Sequence, residues 1–186
     1  MRTVIPFVLG MLLLAPVSAA GADQKKGEAL VEACMASETW DADGHLCLAK
    51  LADDHTDDGT LSWEALVEHC NAFSMAGISE CLTALAVVSE KKLKKANADL
   101  AAASAEYFRS DDVPDHSRRA KKNQAAAYQE FPKFRKLHCE YVATSAGGGI
   151  GLTLPRKRCE IDLNLWYADQ LRLSTKKLLG LIEENK

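Results

Sequence analysis

LTALAVVSEKKLKKANADLAAASAEY, residues 82–107, decides the fold. Leu82, Ala86, Ser89, Leu93, Ala96, Leu100, Ala103 and Tyr107 recur at alternating spacings of four and three. That is the stripe of a helix packed along its whole length against another. The stretch spans about 40 Å as a helix. Its alanines make the stripe narrow, so a partner helix can approach closely. Asp111-Asp112-Val113-Pro114-Asp115 ends it.

Downstream, a return helix is predicted from Ser117 to about Thr144, with Pro132 kinking or interrupting it. The glycine-rich stretch 146–151 and the basic tripeptide 156–158 read as a loop. A last helix, Cys159 to about Ile182, turns Ile161, Leu165, Ala168, Leu171 and Leu178 inward. Upstream, short helices are predicted over Lys25–Met35 and Leu46–Ala52. A third runs from an N-cap at Ser62 to about Ala72, with a hydrophobic staple between Leu61 and Leu66. The expectation is an all-α, disulfide-stapled antiparallel helical bundle with a long central helical hairpin and no sheet.

Composition agrees. Of 186 residues, 47% are hydrophobic and 26% charged, which excludes disordered, collagenous and polytopic membrane chains. Aromatics are only 6% and β-branched residues are sparse, which favours helices.

Residues 1–22 have the pattern of a signal peptide: Arg2, an apolar run Val4–Val17, then small residues Ser18 to Ala22. The run is broken by Pro6, Gly10 and Pro16, so a membrane span is the weaker reading. A periplasmic or secreted bacterial protein is expected, with no membrane insertion after cleavage. All six cysteines, Cys34, Cys47, Cys70, Cys81, Cys139 and Cys159, lie beyond this segment. An even count in an exported chain implies disulfides rather than metal, and no C-x-x-C occurs. Leu30-Val31-Glu32-Ala33-Cys34 recurs as Leu66-Val67-Glu68-His69-Cys70, and a Cys-Leu pair follows each, Cys47-Leu48 and Cys81-Leu82. Local pairing, Cys34–Cys47, Cys70–Cys81 and Cys139–Cys159, would staple each helical pair, although other connectivities are open to six cysteines.

Charge is uneven. Residues 22–81 hold 13 acids and 3 bases, residues 82–186 hold 13 acids and 19 bases. Either the two parts complement each other within the molecule, or the acidic head steers towards a cationic partner. Asp54-x-Thr56-x-Asp58-Gly59 resembles the start of a calcium loop, but Ala65 stands where the closing Glu belongs. An acidic turn before a capped helix is the expected reading, as Asp41-Ala42-Asp43-Gly44 is expected to be a turn. No metal or cofactor is expected. The lysine and arginine pairs at 91–95 and 118–122 read as solvated helix faces rather than a nucleic-acid surface. No nucleophile with an ordered base stands out, so an enzyme is not expected.

From about residue 68 to 175 the chain resembles the LprI-type lysozyme inhibitor family. The resemblance rests on Cys70 and Cys81 ahead of a long helix, then Phe131, Phe134, Arg135 and Cys139. Gly147-Gly148-Gly149-Ile150 and Cys159 follow, before a final amphipathic helix with Leu163 and Leu171. It departs from the family pattern at Phe131, Lys136 and Tyr167, and by Pro132. The implied organisation is residues 1–22 as signal peptide, 23–67 as an acidic helical extension with one cysteine pair, and 68–186 as an LprI-like domain. The implied function is an exported protein-binding module inhibiting lysozyme or a related cell-wall hydrolase. A non-enzymatic envelope adaptor holding another protein is the alternative. Lysozyme cleaves between two carboxyl groups in an open cleft. A disulfide-closed loop offering Gly147, Gly148 and Gly149, then the cations Arg156, Lys157 and Arg158, is the candidate partner-binding site.

Overall fold

The structure, a computed structural model, describes residues 20–36, 40–58, 60–109, 113–145 and 152–184. These form helices α1 (Ala20–Met35), α2 (Trp40–His55), α3 (Trp63–His69), α4 (Met75–Tyr107), α5 (Asp115–Ser145) and α6 (Thr153–Glu184). A 3-10 turn, Cys70–Ala72, extends α3. No strand occurs among the described residues. The signal-peptide reading of residues 1–22 lies outside them, save that Ala20–Ala22 begin α1.

The stripe on α4 is buried from Leu82 through Ala103, and Tyr107 is half-buried. Its partner is α6. The long helices α4, α5 and α6 alternate in direction, so α4 and α6 run parallel and pack most extensively, while α5 packs mainly on α6. One apolar cluster joins Val31, Leu48, Leu61 and Leu66 to Leu82, Leu85 and Ile161. The acidic segment 23–67 therefore shares its core with the long helices. A second cluster joins Leu93, Ala96, Leu100, Phe131, Ala168 and Leu171 further along. At α1, a Cβ added to Gly27 would lie 2.3 Å from the Thr60 carbonyl oxygen, so glycine is what lets α1 cross the turn before α3.

Ser62 caps α3, its Oγ accepting from the Ala65 N–H at 3.1 Å, with Leu61 and Leu66 both buried behind it. Ser74 caps α4 in the same way, accepting from the Gly77 N–H. The disulfides are Cys34–Cys47, Cys70–Cys81 and Cys139–Cys159, and no cysteine is free.

Several bounds differ from the sequence reading: α1 begins at Ala20 rather than Lys25, and α2 ends at His55 rather than Ala52, so Asp53 and Asp54 are helical. Helix α2 begins at Trp40, so Asp41-Ala42-Asp43-Gly44 is helical rather than a turn. Acidic residues near a helix start are stabilised by the unpaired N–H groups there, which competes with their turn preference. Helix α6 begins at Thr153, so Arg156, Lys157 and Arg158 are helical rather than in a loop. Pro155 sits in the first turn, where its missing N–H costs nothing. Helix α5 runs unbroken through Pro132; the proline is exposed, so the carbonyl left without its N–H partner can tilt towards water.

Candidate protein-binding face

The basic tripeptide sits at the stapled end of the bundle, in the turn leading into Cys159, and each member has an intramolecular partner. Lys157 Nζ donates to Glu160 Oε2 at 2.9 Å. Arg158 Nη2 donates to Asn71 Oδ1 at 2.9 Å, tying α6 to the turn after α3. Arg156 is the loosest: its guanidinium lies 3.9 Å from both Glu140 and Glu160, and its side chain is 45% exposed. Gly147, Gly148 and Gly149 lie outside the described residues.

Sequence reasoning missed the exposed face of α5. Phe134, Leu137, His138 and Tyr141 follow i, i+3, i+4, i+7 spacing and all point to solvent; Leu137 is 63% and Tyr141 69% exposed. Phe131, Cys139 and Ala143 are the buried set on the same helix. Helix α5 thus carries two stripes, one inward and one outward. The outward one was readable from its spacing, but spacing alone does not say which of the two stripes faces the core.

Two fastenings set the rotation of α5. The first is the Cys139–Cys159 disulfide. The second is a buried polar chain. Asn164 Nδ2 donates to Ser89 Oγ at 2.9 Å, and Arg135 Nη1 donates to Asn164 Oδ1 at 2.5 Å. Ser89 Oγ in turn donates to the Ala86 carbonyl. Arg135 also lies 3.7 Å from Glu90, which pairs with Lys94 at 2.8 Å. The Lys94 hydrogen bond holds the Glu90 carboxyl below its ordinary range, and the same bond raises the Lys94 ammonium. Satisfied throughout, this chain links α4, α5 and α6 in one register.

An aromatic ladder leads from the core to the outward stripe. Tyr128 and Phe131 lie 6.2 and 4.4 Å from the Tyr167 ring, and Phe134 stacks on His138 at 5.4 Å. Aromatic anchors beside an exposed arginine, on a rigid helix, are the composition that dominates protein interfaces.

Part of the acidic stretch 53–58 is paired within the molecule. Lys91 pairs with the Asp53 carboxylate. Lys92, its side chain 4% exposed, lies 2.9 Å from Asp57 and donates to the Asp53 carbonyl at 3.2 Å. Arg172 reaches Asp57 at 3.0 Å. Asp58 Oδ1 accepts from the Thr60 N–H at 2.8 Å, and that bond lowers the Asp58 carboxyl. Lysine and arginine from the basic half hold Asp53 and Asp57, the neighbours of Asp54 and Asp58 in the calcium-like pattern. No metal-holding group of His, Cys, Asp or Glu occurs among the described residues. No family model, curated protein or solved structure matches the chain.

Proposed function

We propose that this chain is an exported protein-binding module that inhibits lysozyme or a related cell-wall hydrolase. The observation that carries the binding role is the Phe134, Leu137, His138 and Tyr141 stripe, exposed on a helix that a disulfide fixes and that Arg156 approaches at Glu140. A preorganised apolar face loses little freedom on docking. Pairing of all six cysteines supports an oxidising compartment, the periplasm or the exterior. No described helix is long and apolar enough to cross a membrane. Lysozyme as target rests on the resemblance to the LprI-type family.

In this reading the stripe docks on the rim of the hydrolase cleft. Arg156 then turns from Glu140 and Glu160 towards the catalytic carboxylates, and the glycines 147–149 allow close approach. Lys157 and Arg158, held by Glu160 and Asn71, position the helix start rather than touch the target. The envelope adaptor is the second reading. It is favoured by the internal pairing of all three cations, which leaves the stripe as a general docking surface.

Affinity for lysozymes of several types, measured on an immobilised sensor, tests the first reading. Phe134→Ser with Tyr141→Ser should weaken binding at least tenfold, Arg156→Ala several-fold, and Lys157→Ala hardly at all. Full affinity in the Phe134/Tyr141 variant would remove the stripe from the interface. Absence of binding by the unmodified protein would leave the adaptor.

A further inference from the structure

At the end of the bundle opposite the disulfide of α5 and α6, a groove opens between α4, α5 and α6. Its volume is about 290 Å³, near the lower size for small-molecule sites. Leu100, Tyr107, Phe108, Leu178 and Leu181 give it an apolar lining. Helix α5 contributes Ala120, Lys121 and Gln124, and α6 contributes Lys177.

Two features separate this groove from a bare apolar cleft. The first is Lys121, whose ammonium lies 4.8 Å over the Phe108 ring, so the cation is held at the apolar wall. The second is Gln124, one turn along the same face, whose Nε2 is buried without a hydrogen-bond partner among the described residues. A buried donor and an adjacent ammonium, with Lys177 facing them from α6, together call for an anionic acceptor. The lining beyond them calls for a hydrocarbon tail.

We infer that this groove binds a single medium-chain alkyl carboxylate, its carboxylate at Lys121, Gln124 and Lys177 and its tail along Leu100, Tyr107 and Leu178. The site is separate from the protein-binding face and independent of the lysozyme reading. Burial of each methylene should tighten binding about fourfold until the groove is full.

Isothermal titration calorimetry of the oxidised full-length protein tests this, with all amphiphiles below their micelle concentrations. Dodecanoate should bind at one site per chain, far more tightly than hexanoate, and at least tenfold more tightly than dodecyltrimethylammonium, which has the same tail and the opposite charge. Ala120→Trp, which fills the groove from an exposed position, should abolish binding with unchanged helical circular dichroism. Lys121→Ala with Lys177→Ala should weaken dodecanoate at least tenfold and leave dodecyltrimethylammonium unaffected. Equal affinity for the two head groups would overturn the carboxylate assignment. Binding unaffected by Ala120→Trp would overturn the location. No saturable binding of dodecanoate, or binding only to anionic vesicles, would overturn the inference altogether.

Discussion

Lys92 and Glu90 lie two residues apart on α4, on different faces, and answer to different physics. Lys92 is buried and its partner Asp57 is half in water. Removing the carboxylate leaves an ammonium in the core short of an acceptor, whereas removing the lysine leaves a carboxylate that water can reach. Asp57→Asn is therefore expected to cost about 1–3 kcal/mol, and Lys92→Met less, both read from urea unfolding midpoints. Glu90 is a surface partner with a lowered carboxyl. A group lowered in the folded state stabilises above its unfolded pKa, and the stabilisation is lost as pH falls through the folded value. An exposed pair contributes at most about 1 kcal/mol. Glu90→Gln should remove that much at neutral pH and make no difference well below pH ~4, when unfolding free energies of the two proteins are compared across pH.

Among the elements, α5 depends most on its fastenings. Its first half, from Asp115 to Gln129, is largely exposed, and its buried residues are Phe131, Cys139 and Ala143. Closing the 20-residue separation between Cys139 and Cys159 stabilises by about 3 kcal/mol on loop-entropy grounds. Serine at both positions should lower stability by about that amount and speed amide exchange in α5 more than in α4. Equal effects on both helices would mean that α5 is held by packing rather than by the staple. The α4 stripe was legible because its spacing of four and three has one solution, and the residues Leu82 to Ala103 are buried as read. The starts of α2 and α6 were not. Asp, Gly and Pro serve both turns and first helical turns, so Asp41–Gly44 and Pro155 do not by themselves separate the two states. The chain Ser89–Asn164–Arg135 was also hidden. Its members lie on three helices, and nothing in their local spacing announces that they meet.

For the whole molecule, the uneven charge resolves in part as internal complementarity. Asp53 and Asp57 from the acidic half are held by Lys91, Lys92 and Arg172 from the basic half. The acidic segment is thus fastened by charge as well as by the shared core around Leu48 and Leu82. Of the candidate site, the sequence showed the tripeptide 156–158 and the cysteines around it. It did not show that Lys157 and Arg158 are engaged within the fold: reading 156–158 as loop hides the i, i+3 pair of Lys157 with Glu160, and Asn71 is distant in the chain from Arg158. Nor did it bring forward the outward stripe of α5, which shares its helix with a stronger inward one. The fold follows from local periodicity, and the local disulfide pairing was among those the spacing left open, whereas the exposed stripe depends on which flank of α5 the α6 contact leaves uncovered. The most direct measurement is a cell-wall turbidity assay with the oxidised protein and several lysozyme types, repeated with the Phe134→Ser, Tyr141→Ser variant. The expected result is inhibition by the unmodified protein and its loss in the variant, with helical content preserved. Undiminished lysis by every lysozyme in the presence of the unmodified protein would contradict the inhibitor function.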